Sequence, residues 1–436
     1  MLLNRPDIEK NILHKSHILL NLIDYGMNSV RSSVLIKKRL SLNNHFIIFD
    51  KKTYNFNKLY VAAIGKASEY MIPESYQKYS NTSLIISGRQ YSTSGMGNVI
   101  VAGHPMPDEN SIIASDELEK MIHSMGEDDL LLLLISGGAS AMLGDFYPSL
   151  KVMRQLTSTL MEAGADIYEL NTIRKHLSMF KGGKLLKLVR GKILALFISD
   201  VVGDDLGTIA SGLTYYDEST FSDALNIFMK YNLKDEFPEV YDRLSNPEKY
   251  GMKETLKKDE FFNYEVDNVI ICNNNTILKN IENRANDLGY SAVNLGTIVK
   301  GESRLASKNL LKRFKDLNDC DIMITGGETV VHVTGSGIGG RNQEFVLSLM
   351  EDIELNDMSV ISVGTDGIDG FTDAAGAVAD RKTCENARTL SLNASEFLKN
   401  NDSYHFFKKT GTLIKTGATE TNVMDVQIFL KTKRNC

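Results

Sequence analysis

Short, nearly uninterrupted apolar runs punctuate the first half of the chain, at residues 59–64, 84–86, 99–102, 130–135 and 193–198. Runs of this length that lack polar alternation read as parallel strands covered on both faces. Charged, helix-compatible stretches separate them, which predicts an α/β domain with a mostly parallel, Rossmann-like sheet. Residues 7–42 carry a helical pattern, and between 221 and 262 the chain again turns charged and helical, with two of its seven prolines. That stretch sets the expected boundary between a larger N-terminal domain, 1–240, and a smaller C-terminal α/β domain, 241–436. The last segment of the chain has the option of packing back on the first domain. A second series of apolar runs follows at 266–272, 291–295, 322–325, 329–333, 359–363 and 426–430. Because 329–333 comes too soon after 322–325 for a crossover helix, the second sheet is expected to be mixed in direction.

A length of 436 residues suits two or three domains and ample core burial. The longest purely aliphatic run, 130–135, is far too short to span a bilayer, so no membrane association is expected. The opening MLLNRPDIEK turns charged at once and offers no signal-peptide core. Cys272, Cys320, Cys384 and Cys436 are scattered without metal spacing, which fits a reducing cytoplasm. A net charge of −6 and a pI near 5.8 exclude general nucleic-acid binding, which needs clustered cations. Any anionic ligand must then meet a local basic site. A homodimer is expected on base rate alone.

Ligands of an α/β sheet gather at strand C-termini, so the loops there carry the candidate chemistry. The richest is TGGETVVHVTGSGIGGRNQE, residues 325–344, where glycines lead into Arg341 at the start of a predicted helix. Backbone amides and a helix N-terminus in such a turn form a cradle for phosphate. Gly335, Gly337 and Gly340 also spell G-x-G-x-x-G, but the acidic residue that would hold a dinucleotide ribose about 20 positions on is missing. In VAAIGKAS, Lys66 stands where it can reach a phosphate or simply be solvated. ISGGAS places Ser136, Gly137, Gly138 and Ser140 in a turn with room for a bound group. LNTIRKHLSMFKGGKL concentrates Arg174, Lys175, Lys181 and Lys184; if this is a site and not a solvated face, Arg174 or Lys184 clamps a carboxylate. ISDVVGDD gathers Asp200, Asp204 and Asp205, hard oxygen donors suited to Mg²⁺ unless each serves as a helix cap. Asp366, Asp369 and Asp373 form a second acidic loop, and Gly326, Gly327, Glu328 and Thr329 a further small-residue turn. With no nucleophile–base pair, no Walker A loop and no protein-kinase signature, the residues describe phosphoryl transfer to a small anionic acceptor.

Taken in order, IGKAS, AGHPMPDENS, LLLISGGASAML, LNTIRKHLSMFKGGKL, ISDVVGDD, GGETVVHVTGSGIGGRNQEF, SVGTDGIDGFTDAAGA and TGATETNVMD resemble the glycerate 2-kinase family, the class with a C-terminal MOFRL-type domain. The resemblance runs from about Leu19 to the C-terminus. It implies two α/β domains with the active site in the cleft between them, ATP with Mg²⁺ or another divalent cation, and phosphorylation of D-glycerate on its 2-hydroxyl. It implies Lys66 and Arg341 as the essential cations, with Asp200 completing the catalytic set. Ser136, Gly137, Gly138, Asn171, Arg174 and Lys184 are expected on the substrate. Gly326, Gly327, Glu328, Thr329, Gly337, Gly339, Gly340 and Asn342 are expected on the nucleotide, and Asp200 and Asp366 on the metal. The alternative activity is an NAD(P)H-dependent hydroxypyruvate reductase. One departure stands out: where the family motif reads T-G-P-T-G-T-N-V-N-D, this chain has Ala418, Glu420 and Met424 in place of proline, glycine and asparagine. A carboxylate at 420 near a triphosphate is unfavourable unless it points away or meets Mg²⁺.

Overall fold

A computed structural model of the chain describes residues 1–72, 76–88, 98–145 and 147–431. It divides into two compact units, one of residues 35–271 and one joining residues 1–34 to 272–436.

In the first unit, a small antiparallel sheet of β1 (Leu40–Leu42), β2 (Phe46–Phe49) and β3 (Lys52–Asn55) precedes the main sheet. The main sheet holds β4 (Leu59–Ile64), β5 (Thr82–Ser87), β6 (Asn98–Val101), β7 (Leu130–Ile135), β8 (Lys192–Ile198) and β9 (Val266–Cys272), in the order β6-β5-β4-β7-β8-β9. The pairings of β4 through β8 are parallel. Every residue of β4 and β7 is buried, as their unbroken apolar sequences require. From β4 the chain builds outward to β6, then returns to lay β7 on the other side of β4. This reversal of strand order leaves a crevice outside the C-termini of β4 and β7, where open α/β sheets bind ligands. Ile64 and Ile135 lie opposite one another in register, so the loops that follow them leave the sheet side by side.

Helices Leu150–Glu162, Ile167–His176, Phe221–Lys230 and Pro238–Ser245 share a second core around Leu156, Leu170, Ile173, Phe228 and Val240. Side-chain caps from Ser149, Asp166 and Thr220 fix three of their starts. This packing overturns the expected cut at 240/241: the charged stretch after 221 hides an apolar face that docks on its own unit. For the same reason 266–272, read with the second series, is the edge strand β9 of the first sheet.

The second unit orders β10 (Ala292–Val299), β11 (Ile322–Gly327), β12 (Met358–Gly364), β13 (Gly376–Ala379), β14 (Leu413–Ile414) and β15 (Asp425–Lys431) as β10-β11-β15-β12-β13-β14. Its sheet is mixed, as expected, but for a different reason. The C-terminal strand β15 inserts antiparallel between β11 and β12, within its own unit. Residues 329–333 form no strand; Val330 makes an isolated bridge to Glu302 and stays exposed, as does Val333. The N-terminus, not the C-terminus, crosses between the expected domains. Helix His17–Ser29 packs on helix Asn274–Asp287 so closely that a Cβ at Gly26 would lie 2.6 Å from Ile281 Cγ1. Residues 7–42 are accordingly several helices ending in β1, not one helical block.

Candidate active site

The loops after β4 and β7 are stitched together. Lys66 N–H donates to the Gly137 carbonyl at 2.9 Å, and Ala67 N–H donates to Ser136 Oγ at 3.0 Å. Gly65 makes this approach possible. Its φ is +122°, and a Cβ there would sit 2.4 Å from the Ser136 carbonyl oxygen. Gly65→Ala is therefore expected to cost about 2–4 kcal/mol from backbone strain and overlap together. A urea midpoint equal to wild type would contradict that reading. Gly138 opens the next turn at φ +88°, against His104.

Beside these loops lies a cavity of about 470 Å³ with Gly137, Gly138, Ser140, Asn171, Arg174, Lys181, Asp200 and Ser211 on its polar side. Met106, Met153, Met161, Ile167 and Leu170 form the apolar wall. Ser211 Oγ contacts Ser140 Oγ at 2.8 Å and donates to Asn171 Oδ1 at 3.3 Å, tying three segments into one rim. Arg174 is held in place by its helix, whose N-terminus is closed by an Asp166–Glu169 capping box. Its guanidinium is desolvated, which lowers its pKa, and it has no hydrogen-bond or ion-pair partner among the described residues. A desolvated cation facing a cavity, with its fork open, has the geometry and charge to take a carboxylate. Asp200 follows β8 directly and reaches the same wall, half-buried.

The other expected cations take different roles. Lys66 leaves the sheet next to Gly137 but does not line this cavity. Lys175 is paired with buried Asp217 at 2.8 Å, and Lys181 donates to the Leu143 carbonyl at 2.9 Å and to Asp145 Oδ1 at 3.0 Å. Lys184, expected on the substrate, is buried away from the cavity wall, with no partner for its ammonium among the described residues. Burial lowers its pKa from 10.5 to about 8. The penalty for burying this charge is fully present below about pH 8 and fades as the pH rises toward 10.5, because the unfolded chain then gives up the same proton. Lys184→Met should accordingly raise the unfolding midpoint at about pH 7, with an advantage over wild type that shrinks by about pH 10. An advantage independent of pH, or a loss at neutral pH, would contradict the assignment.

The acidic loop does not assemble as a metal cage. Asp205 secures its own turn, accepting from Gly207 N–H at 3.1 Å and Thr208 Oγ at 2.6 Å. Among the described residues no three Asp, Glu, His or Cys side chains converge. A nucleotide-borne Mg²⁺ needs fewer, since it keeps water and phosphate oxygens and takes one or two protein carboxylates. Asp200 on the cavity wall and Asp366 at the end of β12 are single carboxylates of that kind, each in its own unit.

In the second unit a helix begins at Arg341, as the sequence predicts, and runs to Leu347. The glycines before it are there for a different purpose. A Cβ at Gly335 would lie 2.4 Å from the Asn400 backbone, at Gly337 2.4 Å from Asp402 Cβ, and at Gly339 2.2 Å from Ser403 Oγ. The amides of Thr334 and Gly335 donate to Asn401 Oδ1, and that of Ile338 to Asp402 Oδ1. Fully buried Asp369 takes the helix N-terminus, accepting from Asn342 N–H at 2.9 Å and Gln343 N–H at 2.8 Å. Its carboxylate stands where a phosphate was expected, and burial raises its pKa. Asn342 spends its side chain on Asp369 and Ser362. Gly337, Gly339, Gly340 and Asn342 thus build a folded loop, not an anion cradle. Gly326 and Gly327 continue β11 and do not form a turn: Gly326 makes room for Asn274, and Gly327, at φ +138°, for the Val299 carbonyl. Thr329 is buried, and Asp373 pairs with Lys415 at 2.6 Å.

Arg341 points its fork into the sheet. Nε and Nη2 donate to the two carboxylate oxygens of Asp425 at 2.6 and 2.9 Å, while Nη1 bonds the exposed Glu328. Burial outweighs the opposing pull of Arg341 and leaves the Asp425 carboxyl raised, to about 7. Asp425 lies in the divergent TGATETNVMD motif, and nothing in that segment's spacing singled it out. The departure at Glu420 is also accounted for: with φ +58° it turns its carboxylate to Arg31 and Ser33 near the N-terminus.

Comparison with known proteins agrees with this architecture. A domain of unknown function, DUF4147, matches residues 18–245, and the MOFRL family matches residues 321–425. A D-glycerate 2-kinase from Thermotoga maritima is 37% identical over 86% of this chain and 91% of its own. The chain belongs to the glycerate 2-kinase family. A crystal structure of glycerate kinase from the same organism superposes with a TM-score of 0.83 at 32% identity, covering 96% of this chain and 99% of the other. Within this family one relative, from Agrobacterium vitis, carries a provisional name of hydroxypyruvate reductase; it is 33% identical over 85% of this chain and 86% of its own.

Proposed function

We propose that this protein is a D-glycerate 2-kinase, transferring the γ-phosphoryl group of ATP to the 2-hydroxyl of D-glycerate to give 2-phosphoglycerate and ADP. The observation that carries the reading is Arg174, an unpartnered, desolvated guanidinium on a cavity that also holds Asn171, Ser211 and Asp200. It takes the glycerate carboxylate through two parallel hydrogen bonds. Asn171 and the Ser136–Gly138 loop bound the rest of the small acid, and Asp200 accepts from the 2-hydroxyl and orients its lone pair. The hydroxyl oxygen gives its proton to Asp200 as it forms its bond to the γ-phosphorus, while the bond to the β-phosphate oxygen breaks, its electron pair leaving on ADP. Such a transfer spreads negative charge over the γ-oxygens, and Lys66 and Arg341 supply the fixed positive charge that stabilises it. Asp200 or Asp366 would be the protein carboxylate for a Mg²⁺ carried by ATP, which would supply neutralising charge to the phosphate chain. Glu328, which bonds Arg341, and Thr329, the next residue in the chain, are the contacts kept for the nucleotide.

The reductase reading draws on the family name above and on G-x-G-x-x-G. Against it, Gly335 and Gly337 pack on residues 400–402 and Gly340 on Asp369, and no parallel strand leads into them. Two assays separate the readings. With ATP, Mg²⁺ and D-glycerate the protein should release ADP, and with NADH or NADPH and hydroxypyruvate it should consume neither. Cofactor oxidation without ADP release would reverse the conclusion. Among the described residues no helix is long and apolar enough to cross a membrane.

A further inference from the structure

Arg341 is gripped from two sides that differ in kind. On the inner side Asp425 is 1% exposed and meets the guanidinium edge with both oxygens, at 2.6 and 2.9 Å. On the outer side Glu328 is exposed and makes a single contact through Nη1. Asp425 is the first residue of β15, and the residues opposite it on both neighbouring strands are glycines, Gly327 on β11 and Gly364 on β12. A Cβ at Gly364 would make ordinary contact with Asp425 Oδ1, at 3.4 Å, and a tighter one with the Ile368 carbonyl, at 3.0 Å. The backbone leading to Asp425 is fixed as well. Asn274 Nδ2 donates to the carbonyls of Val423 and Asp425 at 2.7 and 3.0 Å, and Thr365 Oγ donates to the Met424 carbonyl at 2.6 Å.

We propose that Asp425 is the positioning residue of the transfer step: it fixes the plane and direction of the Arg341 guanidinium, so that Nη1, released by Glu328, meets the transferring phosphoryl group. This rests on the reading of Arg341 as a transfer-step cation. Asp425 touches no reacting atom. A guanidinium held along one edge presents its other edge at a fixed angle, which an ammonium on a flexible stem does not. The inner bond is buried and paired and persists, whereas the outer bond to an exposed carboxylate is weak enough to exchange for a polyphosphate.

The test is a double-mutant cycle on the full chain, with steady-state kinetics and thermal melts. Asp425→Asn keeps the shape but loses the charge and one acceptor. It should lower kcat at least tenfold and leave KM for D-glycerate within about twofold. In the Arg341→Ala background it should lower kcat no further, because nothing is left to orient. Arg341→Lys, which does not depend on how well the Asp425 variant folds, should lose most of the activity despite keeping the charge. The inference is overturned if Asp425→Asn turns over normally while Arg341→Ala does not, if the two losses multiply, or if Arg341→Lys works like wild type. Normal turnover by Arg341→Ala would instead remove the reading of Arg341 itself.

Discussion

Replacing Lys66 or Arg341 with alanine is expected to lower kcat by about 10²-fold or more, the scale on which loss of a group that stabilises transition-state charge is felt. The two variants should differ in stability. Lys66 is half-buried just after β4 and its backbone N–H bonds the Gly137 carbonyl, a bond that alanine keeps, so Lys66→Ala should fold like wild type. Arg341→Ala strands the buried Asp425 carboxyl, and removing one partner of a buried pair costs about 3–5 kcal/mol. Its kinetics must therefore be read below its own unfolding midpoint. Near-normal kcat in both variants, measured on folded protein, would sink the assignment of these cations to the transfer step.

Arg174→Met should act on the other kinetic constant. A carboxylate clamp binds ground state and transition state alike, so its loss raises KM and leaves kcat little changed. Charge-assisted hydrogen bonds contribute about 1.5–3 kcal/mol, which sets the expected rise in KM for D-glycerate at about tenfold to a hundredfold, with KM for ATP unmoved. The same substitution should leave the melting temperature unchanged or higher, because the guanidinium is desolvated without a partner and a methionine suits the neighbouring Met153, Met161 and Leu170. An unaltered KM, or a stability loss with no change in KM, would make Arg174 a structural residue and move the carboxylate elsewhere.

What could be read from sequence follows from what local pattern encodes. The strands 59–64 and 130–135 were legible to the residue, because a strand buried on both faces has nothing but apolar side chains to show. Arg341 at a helix start was legible for a similar reason, since glycine before a polar, helix-forming run marks an N-terminus. The glycine loop itself misled. Glycine reports close approach of something, and here the partners are the protein's own Asn400, Asp402 and Asp369, about 30 to 65 positions away along the chain and invisible to spacing. Residues 329–333 have the β-branched composition of a strand but pair only through the isolated bridge from Val330 to Glu302, and Val330 and Val333 stay exposed. The union of residues 1–34 with the second unit rests on the packing of helix 17–29 against 274–287 and on bonds such as those of Leu13 N–H and Ser16 Oγ to Asp380 and of Arg31 to Glu420, none of which a local signal announces. In the site, Arg174 was visible as a charge cluster, but only the fold tells it apart from Lys175, Lys181 and Lys184, whose charges are already paired or buried elsewhere. Asp425 escaped notice because its motif is the one that departs from the family pattern.

The central claim is best tested by coupling the reaction of ATP, Mg²⁺ and D-glycerate directly to enolase, with no phosphoglycerate mutase present, since enolase accepts the 2-phosphate alone. Phosphoenolpyruvate appearing in step with ADP is the predicted result and establishes both the transfer and its position. ADP without phosphoenolpyruvate would mean transfer to the 3-hydroxyl or idle hydrolysis, and no ADP at all would contradict the kinase reading outright.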